Sequence, residues 1–107
     1  MTLTIDDPEY HRKLAYFAKD MARELAEALT EEKVEKSKAQ SLVGSMMFNF
    51  AMMFDQGGHY RLGGKFKPKL AFDNGLGQLI VPTEPTRLHE SVFDIVEDVY
   101  NEAPRRE

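Results

Sequence analysis

The chain contains no cysteine. Disulfides and thiolate-held metals are thereby excluded, and a reducing compartment such as the cytoplasm suits the sequence. Long apolar runs are also missing. The longest, about Leu42 to Phe54, is interrupted by Gly44, Ser45 and Asn49. It falls short of the roughly 20 residues that a bilayer-spanning helix needs, so no membrane partner is expected. The opening residues Met1-Thr2-Leu3-Thr4-Ile5-Asp6-Asp7 have neither a basic n-region nor an apolar h-region, so no targeting segment is expected.

Catalytic signatures are absent too. His11, His59 and His89 have no second histidine at i+3 or i+4. His89-Glu90 does not extend to His-Glu-x-x-His, because position 93 is phenylalanine. Ser37, Ser41, Ser45 and Ser91 lack the Gly-x-Ser-x-Gly elbow of hydrolases. Gly57-Gly58 and Gly63-Gly64 match neither phosphate-binding fingerprint and read as turns. Asp55 and His59 could ligate together across Gly57-Gly58, but two ligands make a weak metal site. A metal-dependent enzyme built on that pair is an alternative. The preferred expectation is no enzyme, no cofactor and no metal.

What is present is a chain of 107 residues, read as one domain over 1–107 with an arm at 1–7 and a frayed tail at 103–107. Asp7-Pro8-Glu9 is a strong helix start. Tyr10, Leu14, Phe17, Ala18, Met21, Leu25, Ala28 and Leu29 then share one face, predicting a first helix over about 8–29. Residues 30–38 are highly charged, with no glycine or proline to break them. A turn near Thr30 is the preferred reading. One continuous helix over 8–56 would be roughly 70 Å long and would fit only an intertwined oligomer.

The second helix ends near Gln56, before Gly57-Gly58. It holds the densest apolar stretch, Met46-Met47-Phe48-Asn49-Phe50-Ala51-Met52-Met53-Phe54. A broad face carries Ala39, Leu42, Val43, Met46, Met47, Phe50, Met53 and Phe54. A second carries Phe48 and Met52, beside the small residues Ser41, Gly44 and Ser45 that permit close approach. A helix apolar on two sides must be covered from two directions, the second face either by the first or third helix of the same chain or by another subunit.

The period then changes from 3.6 to 2. Lys65 to Phe72 alternates, with Phe66, Pro68, Leu70 and Phe72 on one side. Asn74-Gly75 predicts a two-residue hairpin turn, pairing Phe72 with Gly77, Leu70 with Leu79 and Pro68 with Val81. A further strand over about 59–61 is expected to precede these. Pro82 and Pro85 end the sheet. Thr83 or Thr86 caps a third helix with the stripe Leu88, Val92, Phe93, Ile95, Val96, Val99 and Tyr100. The predicted class is α+β in the order α-α-β-β(-β)-α, with three helices on one face of a two- or three-stranded antiparallel meander.

Two functions are weighed. The preferred one is a small, soluble protein-binding or regulatory domain. Its contact residues are Ser41, Gly44, Phe48 and Met52, and it self-associates through the Met/Phe helix as a two-fold dimer. The alternative is a nucleic-acid or phosphate-binding module using Arg61, Lys65, Lys67 and Lys69. That strip is basic on a chain of net charge −4. Three of its lysines would point the same way, roughly 7 Å apart along a strand. Lysines and a proline also keep an edge strand from pairing with another chain.

Overall fold

The computed structural model describes residues 2–5, 9–55, 68–82 and 86–102. The fold is α+β. A strand β1 (Thr2–Ile5) is followed by helices α1 (Tyr10–Glu31) and α2 (Lys36–Asp55). Strands β2 (Phe72–Asp73) and β3 (Gln78–Val81), a 3-10 turn (Leu88–Glu90) and helix α3 (Val92–Asn101) complete it. The three predicted helices are all present. The expected strand over 59–61 and the helix cap at Asp7 lie outside the described residues.

The residues expected as an extended arm contribute a strand instead. β1 pairs parallel with β3, Thr2 opposite Gln78 and Ile5 opposite Val81. The sheet order is β1-β3-β2, so β3 is central and the sheet is mixed rather than a pure meander.

The β2–β3 hairpin forms where Asp73-Asn74-Gly75 predicts it, but in another register. Phe72 faces Ile80 and Asp73 faces Leu79. The loop is longer than two residues because side chains take over its closure. Asp73 accepts from the Gly75 amide and Asn74 from the Leu76 amide, both at 2.8 Å. The Asn74 amide donates to the Gln78 carbonyl at 3.1 Å. Gly75 and Gly77 both adopt positive φ, 81° and 79°, so Gly77 serves the turn rather than facing Phe72 in the ladder. The register changes by an odd number, which turns β3 over. Ile80, not Leu79 and Val81, enters the core.

The break between α1 and α2 is a helix-ending motif without its usual glycine. Lys33 takes the left-handed conformation, φ 60°. Its amide donates to Thr30, and that of Val34 reaches back to Leu29, each at 3.0 Å. This satisfies the last carbonyls of α1 and reverses the chain. The continuous helix over 8–56 is thereby excluded.

The core gathers Tyr10, Leu14, Ala18 and Ala22 of α1, Val43, Met47 and Ala51 of α2, Ile80 of β3, Leu88, and Val92, Val96 and Val99 of α3. The sheet meets α1 through rings, Phe72 lying 5.4 Å from Tyr10 and 6.1 Å from Phe17 between centroids. The Tyr10 hydroxyl donates to the Leu70 carbonyl at 2.8 Å. At the opposite end Arg23 of α1 grips Glu102 in a two-pronged bond, 2.9 and 2.8 Å, with Lys19 at 3.2 Å. The Arg23 hydrogen bond, aided by Lys19, holds the Glu102 carboxyl down to about 2.

A left-handed residue with a side chain carries strain that glycine lacks. Lys33 is exposed, so its side chain contributes little packing. Lys33→Gly is therefore expected to stabilise the fold by about 1 kcal/mol in urea unfolding.

Candidate functional site

α2 divides lengthwise into a buried and an outer half. Ala39, Val43, Gly44, Met47, Ala51 and Asp55 are buried. Leu42, Met46 and Met53, expected on the core face, remain 39%, 41% and 40% exposed. Ser41, Ser45 and Asn49 are exposed beside them, and Phe48, Phe50, Met52 and Phe54 are half-buried. No side chain from Ala39 to Phe54 carries a charge. The outer half is thus a neutral surface of thioethers, one leucine, hydroxyls and one amide.

The four predicted contact residues part company. Ser41 is exposed and Met52 half-buried. Gly44 is buried under Phe93, and a methyl group added there would stand 2.9 Å from the phenyl ring. The close approach that Gly44 permits is taken up by α3 of the same chain. Phe48 stacks on Phe93, centroids 5.8 Å apart at 28°, and lies edge-on to the His89 ring at 6.0 Å. Phe93, expected in the α3 core stripe, is 57% exposed. It extends the α2 surface rather than filling the interior.

A polar cluster, not foreseen as such from the sequence, anchors this arrangement. Asp55, the last residue of α2, has a fully buried carboxylate. It accepts a hydrogen bond from the Thr86 hydroxyl. Its other oxygen accepts from the His89 amide and from the His89 ring Nδ1, each at 2.6 Å. Burial pushes the Asp55 carboxyl up, but the bonds from Thr86, His89 and the Leu88 amide outweigh it and hold the group below its ordinary 3.8. An ionised carboxylate only accepts, so Nδ1 carries the ring hydrogen. Burial, with the Asp55 charge behind it, pushes the Tyr10 phenol up to about 12.

Asp55 therefore does from another helix what a local cap would do for the 3-10 turn. Thr83 or Thr86 was expected to cap α3; Thr83 lies outside the described residues, the Thr86 hydroxyl points to Asp55 instead, and Ser91 stands at the α3 cap position. The signals were legible singly, an acid before Gly57-Gly58 and a threonine before an apolar stripe. Their pairing across 31 residues was not.

The cluster also bears on the metal alternative. Both Asp55 oxygens are occupied by Thr86 and His89, and His59 lies outside the described residues. Among the described residues no three acidic or histidine side chains group as metal ligands. An open groove of about 330 Å³ lies between α1 and the start of α3, bordered by His11, Leu14, Arg87, Leu88, Ser91 and Ile95. Its guanidinium lies 3.9 Å from Glu90. The groove holds no carboxylate–imidazole pair.

Of the basic strip, Lys69 is exposed, and Arg61, Lys65 and Lys67 lie outside the described residues. No described helix is long and apolar enough to cross a membrane. Compared with known proteins, the chain matches no family model, no curated protein and no solved structure.

The depressed Asp55 carboxyl sets a pH dependence. Its stabilisation is fully present above the unfolded value near 3.8 and is lost as pH falls through the lower folded value. Asp55→Asn keeps the size but removes the charge, and is expected to cost about 2–3 kcal/mol at neutral pH. In urea unfolding from pH 7 downward, the gap between wild type and variant should hold to about pH 4 and then close.

Proposed function

We propose that this domain is a non-enzymatic, protein-binding regulatory module whose contact surface is the outer half of α2. The observation that carries the reading is the uncharged stretch from Ala39 to Phe54, with Leu42, Met46 and Met53 left two-fifths exposed. Fully burying a large apolar side chain is worth about 1.5–3 kcal/mol, and the two-fifths of Leu42, Met46 and Met53 still exposed carry a fraction of that each, which together with Phe93 favours a covered state. A group of exposed large apolar side chains on one uncharged face marks a candidate interaction site. Methionine suits it, because a flexible, polarisable thioether adapts to the shape opposite.

The other helices differ. α1 exposes Arg12, Asp20, Glu24 and Glu31, and α3 exposes Asp94, Glu97 and Asp98. Those faces are dominated by charge, with single exposed rings among it, Tyr16 on α1 and Phe93 on α3. Of the predicted contact residues, Ser41, Phe48 and Met52 remain part of the proposed surface. Gly44 supports it from beneath by seating Phe93.

In dilute solution the folded chain is expected to bind an apolar fluorescent dye such as anilinonaphthalene sulfonate. The double variant Leu42→Glu, Met46→Glu should keep the wild-type helical circular dichroism and lose most of the dye signal. An unchanged signal would place the dye elsewhere and remove the support for this surface.

A further inference from the structure

We infer that the occupant of this surface is a second copy of the chain, paired antiparallel, α2 against α2. The inference rests on the reading of α2 as a contact surface and names its partner. Leu42, Ser45, Asn49 and Met52 recur at intervals of three, four and three, the spacing of a seam between two helices. Met46 and Met53 flank it on one side, Ser41 and Phe48 on the other. Antiparallel pairing sets Leu42 opposite Met52 of the second copy and Ser45 opposite Asn49, twice over by symmetry. The apolar layers then lie outside and the polar layers at the centre. A hydroxyl facing an amide satisfies both, which identical residues meeting head-on would not guarantee.

Charge permits a second copy on this face and sets its direction. The chain carries a net −4, and the exposed faces of α1 and α3 bear carboxylates. Two copies meeting there would repel; the neutral half of α2 lets them approach. Lys36 and Lys38 are exposed in the first turn of α2, beside the positive end of their own helix dipole. Glu35 precedes them and accepts from Ser37. The last turn of α2 holds no basic residue. Antiparallel packing brings the lysines of each copy to the negative end of the other helix. Parallel packing would gather all four at one end.

The absence of cysteine makes the test direct, since introduced thiols have no native competitors. The full chain is prepared as wild type, as Leu42→Glu, Met46→Glu, and as the single variants Ser45→Cys and Asn49→Cys. In sedimentation the wild type should reach dimer mass as concentration rises, with dye fluorescence per chain falling in step. The charged double variant should raise the dissociation constant by about 100-fold or more while staying folded. Under mild oxidation the mixture of Ser45→Cys and Asn49→Cys chains should form a disulfide between the two variants in preference to either variant with itself. Self-linking of either variant as readily as in the mixture would overturn the antiparallel arrangement. A wild type that stays monomeric when concentrated, with no link in the mixture, would overturn the second copy as occupant. A monomer that still binds dye through Leu42 and Met46 would leave the contact surface standing, whereas one without dye response would overturn both.

Discussion

Asp55 sits at the carboxyl end of α2, where the helix dipole and burial both oppose a negative charge. Its carboxyl is nevertheless held below the ordinary value, because donors from Thr86, Leu88 and His89 converge on it. Each of these groups belongs to the segment that leads into α3. The end of one helix and the beginning of another are therefore tied by bonds to a single charged group, of a class worth about 1.5–3 kcal/mol each. Removing the carboxylate would leave a buried hydroxyl and two amides short of an acceptor.

The tie at Asp55 determines where α3 can lie. With His89 fixed against α2, α3 runs back along it, and Phe93 passes over Gly44 at a distance that leaves no room for a methyl group. Phe48 completes a column of rings from His89 to Phe93. The same carboxylate reaches α1 electrostatically through Tyr10, whose hydroxyl is bonded to the Leu70 carbonyl before β2. The α2 terminus is thus bonded to the segment that leads into α3, and Tyr10 separately joins α1 to the chain before β2.

The sequence was most legible where periodicity is local. The stripe of α1 and the ending of α2 near Asp55 could be read from spacing and from Gly57-Gly58. Three features were hidden for different reasons. The α1–α2 reversal uses Lys33 at a position where glycine is the usual marker, so no breaker announces it. The hairpin was foreseen at Asn74-Gly75, but Asp73 and Asn74 close it with their side chains and shift the register. Asp55, Thr86 and His89 are far apart in sequence, and each has an ordinary local explanation. The candidate surface was half legible. The apolar excess of α2 was evident, but which of its residues stay outside depends on how the helix is rotated.

That rotation is not free. Turning α2 far enough to bury Leu42, Met46 and Met53 would carry Asp55 away from Thr86 and His89 and expose part of the Val43–Met47–Ala51 seam. A buried carboxylate without its donors is strongly disfavoured, so the outer half of α2 is fixed as outer. The apolar residues there are then not spare core material awaiting a small adjustment. α1 meets the same demand, to bury one side and face water with the other, and meets it with charges. α2 meets it without a charge between Ala39 and Phe54. On our reading the difference lies in what each helix faces: water for α1, and for α2 a second, equally neutral helix.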